Sequence, residues 1–163
     1  MRRALRLSAL LVLCACGSTT SVTPSPTVDP AVRGAAAQAY SAAAATANAA
    51  KAVLQAGACR TSDNASLKAC SSGLAAAEQA FENNLLTITF PPDARADADA
   101  LIAIDKRVVA EELSFAKSAN PQADATDFTA IESDDKLLAA AVAAVRRDLG
   151  LAPPPSLGAS PTP

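Results

Sequence analysis

The 163-residue chain carries 14 basic and 16 acidic side chains, no histidine, no tryptophan, one tyrosine, four phenylalanines and four cysteines, and roughly a quarter of it is alanine. Without histidine the commonest general base and metal ligand is missing, which excludes histidine-ligated haem bundles, the usual zinc centres and Ser-His-Asp or Cys-His catalysis. Few aromatics and a slightly acidic balance argue against a nucleic-acid surface, and the length allows one domain once the ends are set aside.

Residues 1–15 read as an export signal. Arg2, Arg3 and Arg6 form a basic start and Leu7 to Leu13 a short apolar run. A helix of about 10 apolar residues covers only about 15 Å, half the hydrocarbon layer of a bilayer, so this segment is too short for a stable membrane span. Leu13-Cys14-Ala15-Cys16 then runs into Gly17-Ser18: an aliphatic residue, a tolerant position, a small residue and a cysteine. This resembles the lipobox of bacterial lipoproteins. The resemblance implies cleavage between Ala15 and Cys16 and a diacylglyceryl group on the Cys16 thiol. Cys14 does not fit that role, because Leu13 before it is not small. Ordinary secretion with cleavage after Gly17 is the competing reading, since Ala15-Cys16-Gly17 is an acceptable small-x-small site.

The consequence of lipidation is physical. One acyl chain gives marginal membrane binding, whereas a diacylglyceryl group puts two chains on one atom and makes the attachment stable. Loss of the three signal arginines leaves 11 basic against 16 acidic side chains, a net charge of −5. Such a body is mildly repelled by anionic headgroups, so the tether and not surface adsorption holds it at the membrane.

Residues 16–29 form the expected flexible linker, rich in Ser, Thr and Pro, with about 40 Å of reach in a polyproline-like state. Residues 151–163, beginning Leu151-Ala152-Pro153-Pro154-Pro155, read as a disordered Pro-rich tail. The domain between them spans residues 30–150.

Apolar positions keep helical spacing through this domain. Asp29-Pro30 is an N-cap with the favoured proline after it, opening a helix to about Ala56 with Gly57 as C-cap. Its seam is expected at Val32, Ala39, Ala43, Ala50 and Val53/Leu54. A second helix over about 66–87 aligns Leu67, Cys70, Leu74, Ala77, Phe81, Leu85 and Ile88. A third is expected from Asp93 to about Ser118 with Leu101, Ile104, Val108 and Phe115 inward. Asn120-Pro121 closes it. A fourth over about 126–149 aligns Phe128, Ile131, Leu138, Val142, Val145 and Leu149 before Gly150. The expected fold is all-α: an up-down-up-down four-helix bundle.

After export and lipidation two cysteines remain, Cys59 and Cys70, in an oxidising compartment, and they are expected to pair. The bridge would close the polar loop Arg60 to Ala69 and contribute about 3 kcal/mol through chain entropy. A redox pair or thiolate metal site is the alternative; the spacing is not C-x-x-C, and two thiolates make a poor closed metal site.

Polar residues on the apolar stripes are the remaining hints of a site. Asp135 falls between Ile131 and Leu138, and Asp105 and Glu112 lie on or beside the third helix's stripe. They are expected to pair with Lys106, Arg107 or Lys136 or to lie at an exposed end, not to bind a metal. No phosphate loop, activated nucleophile or cofactor fingerprint is present, so no enzyme activity and no cofactor is expected. By composition and N-terminus the chain resembles the alanine-rich bacterial lipoproteins, a class that implies a location and brings no activity with it. The functional expectation is a non-enzymatic binding or interaction module, lipid-anchored at the outer face of the cell membrane, that contacts an envelope protein or itself and no nucleic acid. The alternatives are a small-ligand carrier or sensor with a cleft between helices and, behind it, a carboxylate metal-binding bundle.

Overall fold

The computed structural model describes residues 28–60 and 63–154. The expected signal peptide (residues 1–15), Cys16, nearly all of the expected linker and the residues beyond Pro154 lie outside the described residues. Four helices follow one another: α1 (Pro30–Ala56), α2 (Asn64–Leu85), α3 (Arg95–Lys117) and α4 (Pro121–Asp148), with a short 3₁₀ turn, Ala58–Arg60, between α1 and α2. Each packs against the next in the chain, giving the up-down-up-down four-helix bundle.

Local chemistry sets the helix ends. Asp29 Oδ1 accepts from the Ala31 amide at 2.8 Å with Pro30 behind it, so α1 opens as the Asp-Pro pair requires. Asp63 caps α2 through the Ser66 amide at 3.0 Å. Asp93 does not open α3: Ala94 occupies the N-cap without a side-chain bond, and Asp93 instead meets Arg33 at 2.6 Å. Pro121 starts α4 instead of only ending its predecessor, so this helix begins about five residues earlier than expected. Gly150 terminates it at φ 72°, with Gly150 and Leu151 amides returning to the Arg147 and Arg146 carbonyls.

The apolar core is concentrated at one end. Tyr40, Phe81, Leu85, Leu101, Val145 and Leu149 pack together there, roofed by Ile88, Phe90 and Ala94 from the α2–α3 connection. Tyr40 and Phe81 meet edge-to-face with centroids 6.1 Å apart. The α1 seam is Ala36, Tyr40, Ala43 and Ala47; of the positions expected there Ala43 is buried and Leu54 is half-buried. Val32, Ala39 and Ala50 are exposed and Val53 is 73% exposed. Tyr40, the largest side chain of the helix, decides which alanine face turns inward.

At this end Arg33 donates to the Asp148 carbonyl and Arg147 pairs with Asp97 at 3.0 Å, tying α1 and α3 to the end of α4. Toward the other end α1 and α4 draw back: no described residue of α1 beyond Ala47, nor of α4 before Val145, is fully buried. There the Cys59–Cys70 disulfide, with Cα atoms 4.9 Å apart, fastens the α1–α2 hairpin. Leu54 lies against Gly73, where an added Cβ would come within 2.5 Å of Leu54 Cδ2. Glycine thus lets α1 approach α2 where α1 has nothing larger than leucine to bury.

Candidate functional site

The α3 stripe is Ala98, Leu101, Asp105, Val108, Glu112 at alternating spacings of three and four. Two of these inward positions are acidic. Antiparallel pairing with α2 sets Glu78 opposite Asp105 and Ser71 opposite Glu112, and Ser71 Oγ donates to the Glu112 carbonyl at 3.0 Å. Glu78 is 5% exposed, Asp105 0% and Glu112 6%. Below the apolar core the bundle therefore carries a layer of three buried carboxyls. The cation bonded within it is Lys51, from the α1 seam, whose ammonium is hydrogen-bonded to Glu78 Oε1.

Three buried carboxylates against one ammonium leave an excess of negative charge in a poorly solvated place, which is costly. The layer responds by holding protons. Burial pushes the Asp105 carboxyl up to about 8, with the facing Glu78 adding to the shift and Lys51 opposing it. Burial likewise raises Glu112 to about 8, with Glu78 and Asp135 adding to it and Lys51 opposing. As ionised groups neither Asp105 oxygen has a donor, so its contact with Glu78 is bonding only through a proton held between the two.

This differs from the sequence expectation. Lys106 pairs with Glu82 at 3.6 Å and Arg107 with Asp134 at 2.8 Å, both pointing away from the stripe, so neither reaches Asp105 or Glu112. Asp135 is exposed, the second of the expected outcomes, and its charge reaches Glu112 from the rim. Glu78 and Lys51 were not singled out by sequence, although each was legible: Glu78 is four residues after Leu74 and three before Phe81, and Lys51 continues the Tyr40, Ala43, Ala47 face.

A groove of about 510 Å³ opens beside Glu112, between the start of α2, the end of α3 and the start of α4. Leu67, Leu74, Phe115, Phe128 and Ile131 supply its apolar walls, with the disulfide half-cystine Cys70 and Ser71 beside them. Glu112 Oε2 is buried there with no hydrogen-bond partner. At the rim Asp124 is already neutralised: Lys68 Nζ meets Asp124 Oδ1 at 3.2 Å, donates to the Phe115 and Ser118 carbonyls and sits 5.4 Å from the Phe115 ring centre. Leu67 and Phe128 are exposed. Volume and lining suit a small, largely apolar molecule.

Among the described residues no three His, Cys, Asp or Glu side chains converge on a position that could hold a metal ion, and no helix is long and apolar enough to cross a membrane. Cys59 and Cys70 are joined to each other, and Cys16 lies outside the described residues. No family model, curated protein or solved structure matches the chain.

Proposed function

We propose that the chain is an extracytoplasmic lipoprotein, tethered to the outer face of the cell membrane through Cys16, whose helical body is a non-enzymatic binding module. Of the two kinds of occupant that such a body suits, the groove favours a small ligand, which makes the module a carrier or sensor. The observation carrying this is the groove's placement and build. It lies at the α1–α2 turn end of the bundle, while the linker joins α1 at the opposite end beside Asp148. A tether leaving from Asp29 would turn the groove away from the membrane.

The anchor is tested by metabolic labelling with a fatty acid in a bacterium that processes lipoproteins. Wild type becomes labelled and stays with the membrane fraction, and Cys16→Ala is unlabelled and soluble. Label that survives the substitution, or a wild-type product recovered from the medium beginning at Ser18, contradicts the tether. Binding in the groove is tested with the neutral apolar fluorophore N-phenyl-1-naphthylamine, whose fluorescence should rise on wild type and fail to rise on Leu74→Asp. An equal response from both contradicts the groove.

A further inference from the structure

The walls of the groove are indifferent to a ligand's head group; its floor is not. Glu112 is the one polar group on that floor that is both nine-tenths buried and left with an unbonded oxygen, Oε2. Around it face Lys51 from α1, Glu78 from α2, Asp105 from α3 itself and Asp135 from α4. Lys51 is bonded to Glu78, and Lys68 at the rim is bonded to Asp124 and two carbonyls. The floor thus combines an unfilled acceptor with a surplus of acid. An anionic head would meet acids that outnumber Lys51, and an alkyl chain alone would leave the Glu112 carboxyl without a donor. A donor with positive charge meets both demands, because it bonds the Glu112 carboxylate and takes the place of the proton that the carboxyl otherwise holds.

Resting on the groove reading above, we propose that the ligand is a small apolar molecule with one cationic amine head, its ammonium seated on Glu112 and its apolar part laid along Leu74, Phe115, Phe128 and Ile131. The exchange balances: as the ammonium enters, the proton on Glu112 leaves to solvent, and the charge of the layer is unchanged. Binding is therefore coupled to pH. It tightens as pH rises toward 8, where Glu112 loses its proton unaided, and then levels off.

The test compares n-octylamine, octanol and octanoate by titration calorimetry on the full mature chain carrying Cys16→Ser, so that neither lipid nor detergent competes for the groove. At pH 8 octylammonium is expected to bind about tenfold or more tighter than octanol, with octanoate weakest. Between pH 6 and 8 its affinity should climb by up to about tenfold per unit, and heats in two buffers of different ionisation enthalpy should report proton release below pH 8. In Glu112→Gln, octylamine should fall to the level of octanol, while octanol binding persists and shows that the groove is intact. Equal binding of amine and alcohol, or no pH dependence in wild type, overturns the head-group assignment and leaves the groove reading standing. Failure of all three probes to bind overturns both. A dimer that buries the groove and that octylammonium does not dissociate also overturns the proposal, by naming a second copy as the occupant.

Discussion

Replacing Asp105 by asparagine isolates the electrostatics of the buried layer. The amide keeps the size of the protonated carboxyl and can donate to Glu78 without holding a titrating proton. In wild type the Asp105 carboxyl is raised from 3.8 to about 8, so between those values the folded state holds a proton that the unfolded chain has released. Stability from this group is therefore full at and below pH 4, falls as pH rises, and stops falling near pH 8. Each pH unit in that window costs about 1.4 kcal/mol, so from pH 5 to 7 the share of Asp105 is about 2 to 3 kcal/mol. Urea denaturation of wild type and Asp105→Asn at pH 5, 6, 7 and 8 reads it directly. The variant should gain that amount relative to wild type on going from pH 5 to 7, without a change in the denaturant slope. A difference that stays constant with pH, or that moves in favour of wild type, would refute a protonated Asp105.

Other perturbations address the rest of the scaffold. Converting Cys59 and Cys70 together to serine should cost about 3 kcal/mol in urea denaturation, and the unreduced wild type should show no reactive thiol at these two positions; an unchanged midpoint would show that the α1–α2 hairpin needs no staple. Leu101→Ala, at a fully buried position among four helices, should cost about 2 to 5 kcal/mol, whereas Val53→Ala at a 73% exposed position should change stability by less than about 0.5 kcal/mol. Equal effects in the two would contradict the placement of the α1 seam. Gly150→Ala forces a Cβ onto φ 72° and should cost about 1 kcal/mol with the melting temperature as readout; no loss would mean that the left-handed turn is not held.

The helices were legible because α2 and α3 carry large apolar side chains at spacings of three and four, and because Asp29-Pro30 and Gly150 are local signals that act over one turn. The cysteine pair was legible by elimination. The α1 face was legible only at Ala43 and Leu54, since alanines mark no direction and Val32 and Val53 misled, while Tyr40 marks the face most clearly. Pro121 read as a terminator although proline is equally at home in a first turn. The buried acids mark the deeper limit. Sequence placed Asp105 and Glu112 on the stripe but supplied them with partners from neighbouring positions on α3 and from α4. What faces them comes from Lys51 and Glu78, 54 and 27 residues before Asp105, and a charge balance assembled across three helices leaves no trace in local spacing. The groove beside them arises from the withdrawal of α1 and α4, which depends on how little those helices have to bury at that end.

The most direct measurement is a carboxyl-resolved NMR titration of Glu112 in the full mature chain carrying Cys16→Ser, alone and saturated with n-octylamine. Its side-chain carbon should titrate near pH 8 in the free protein and move well below that value when the amine is bound, because an ammonium beside the carboxyl favours its ionised form. A midpoint in the ordinary range of about 4 to 5 in the free protein would show Glu112 to be solvated or paired, and would contradict a groove floored by an unsatisfied acid.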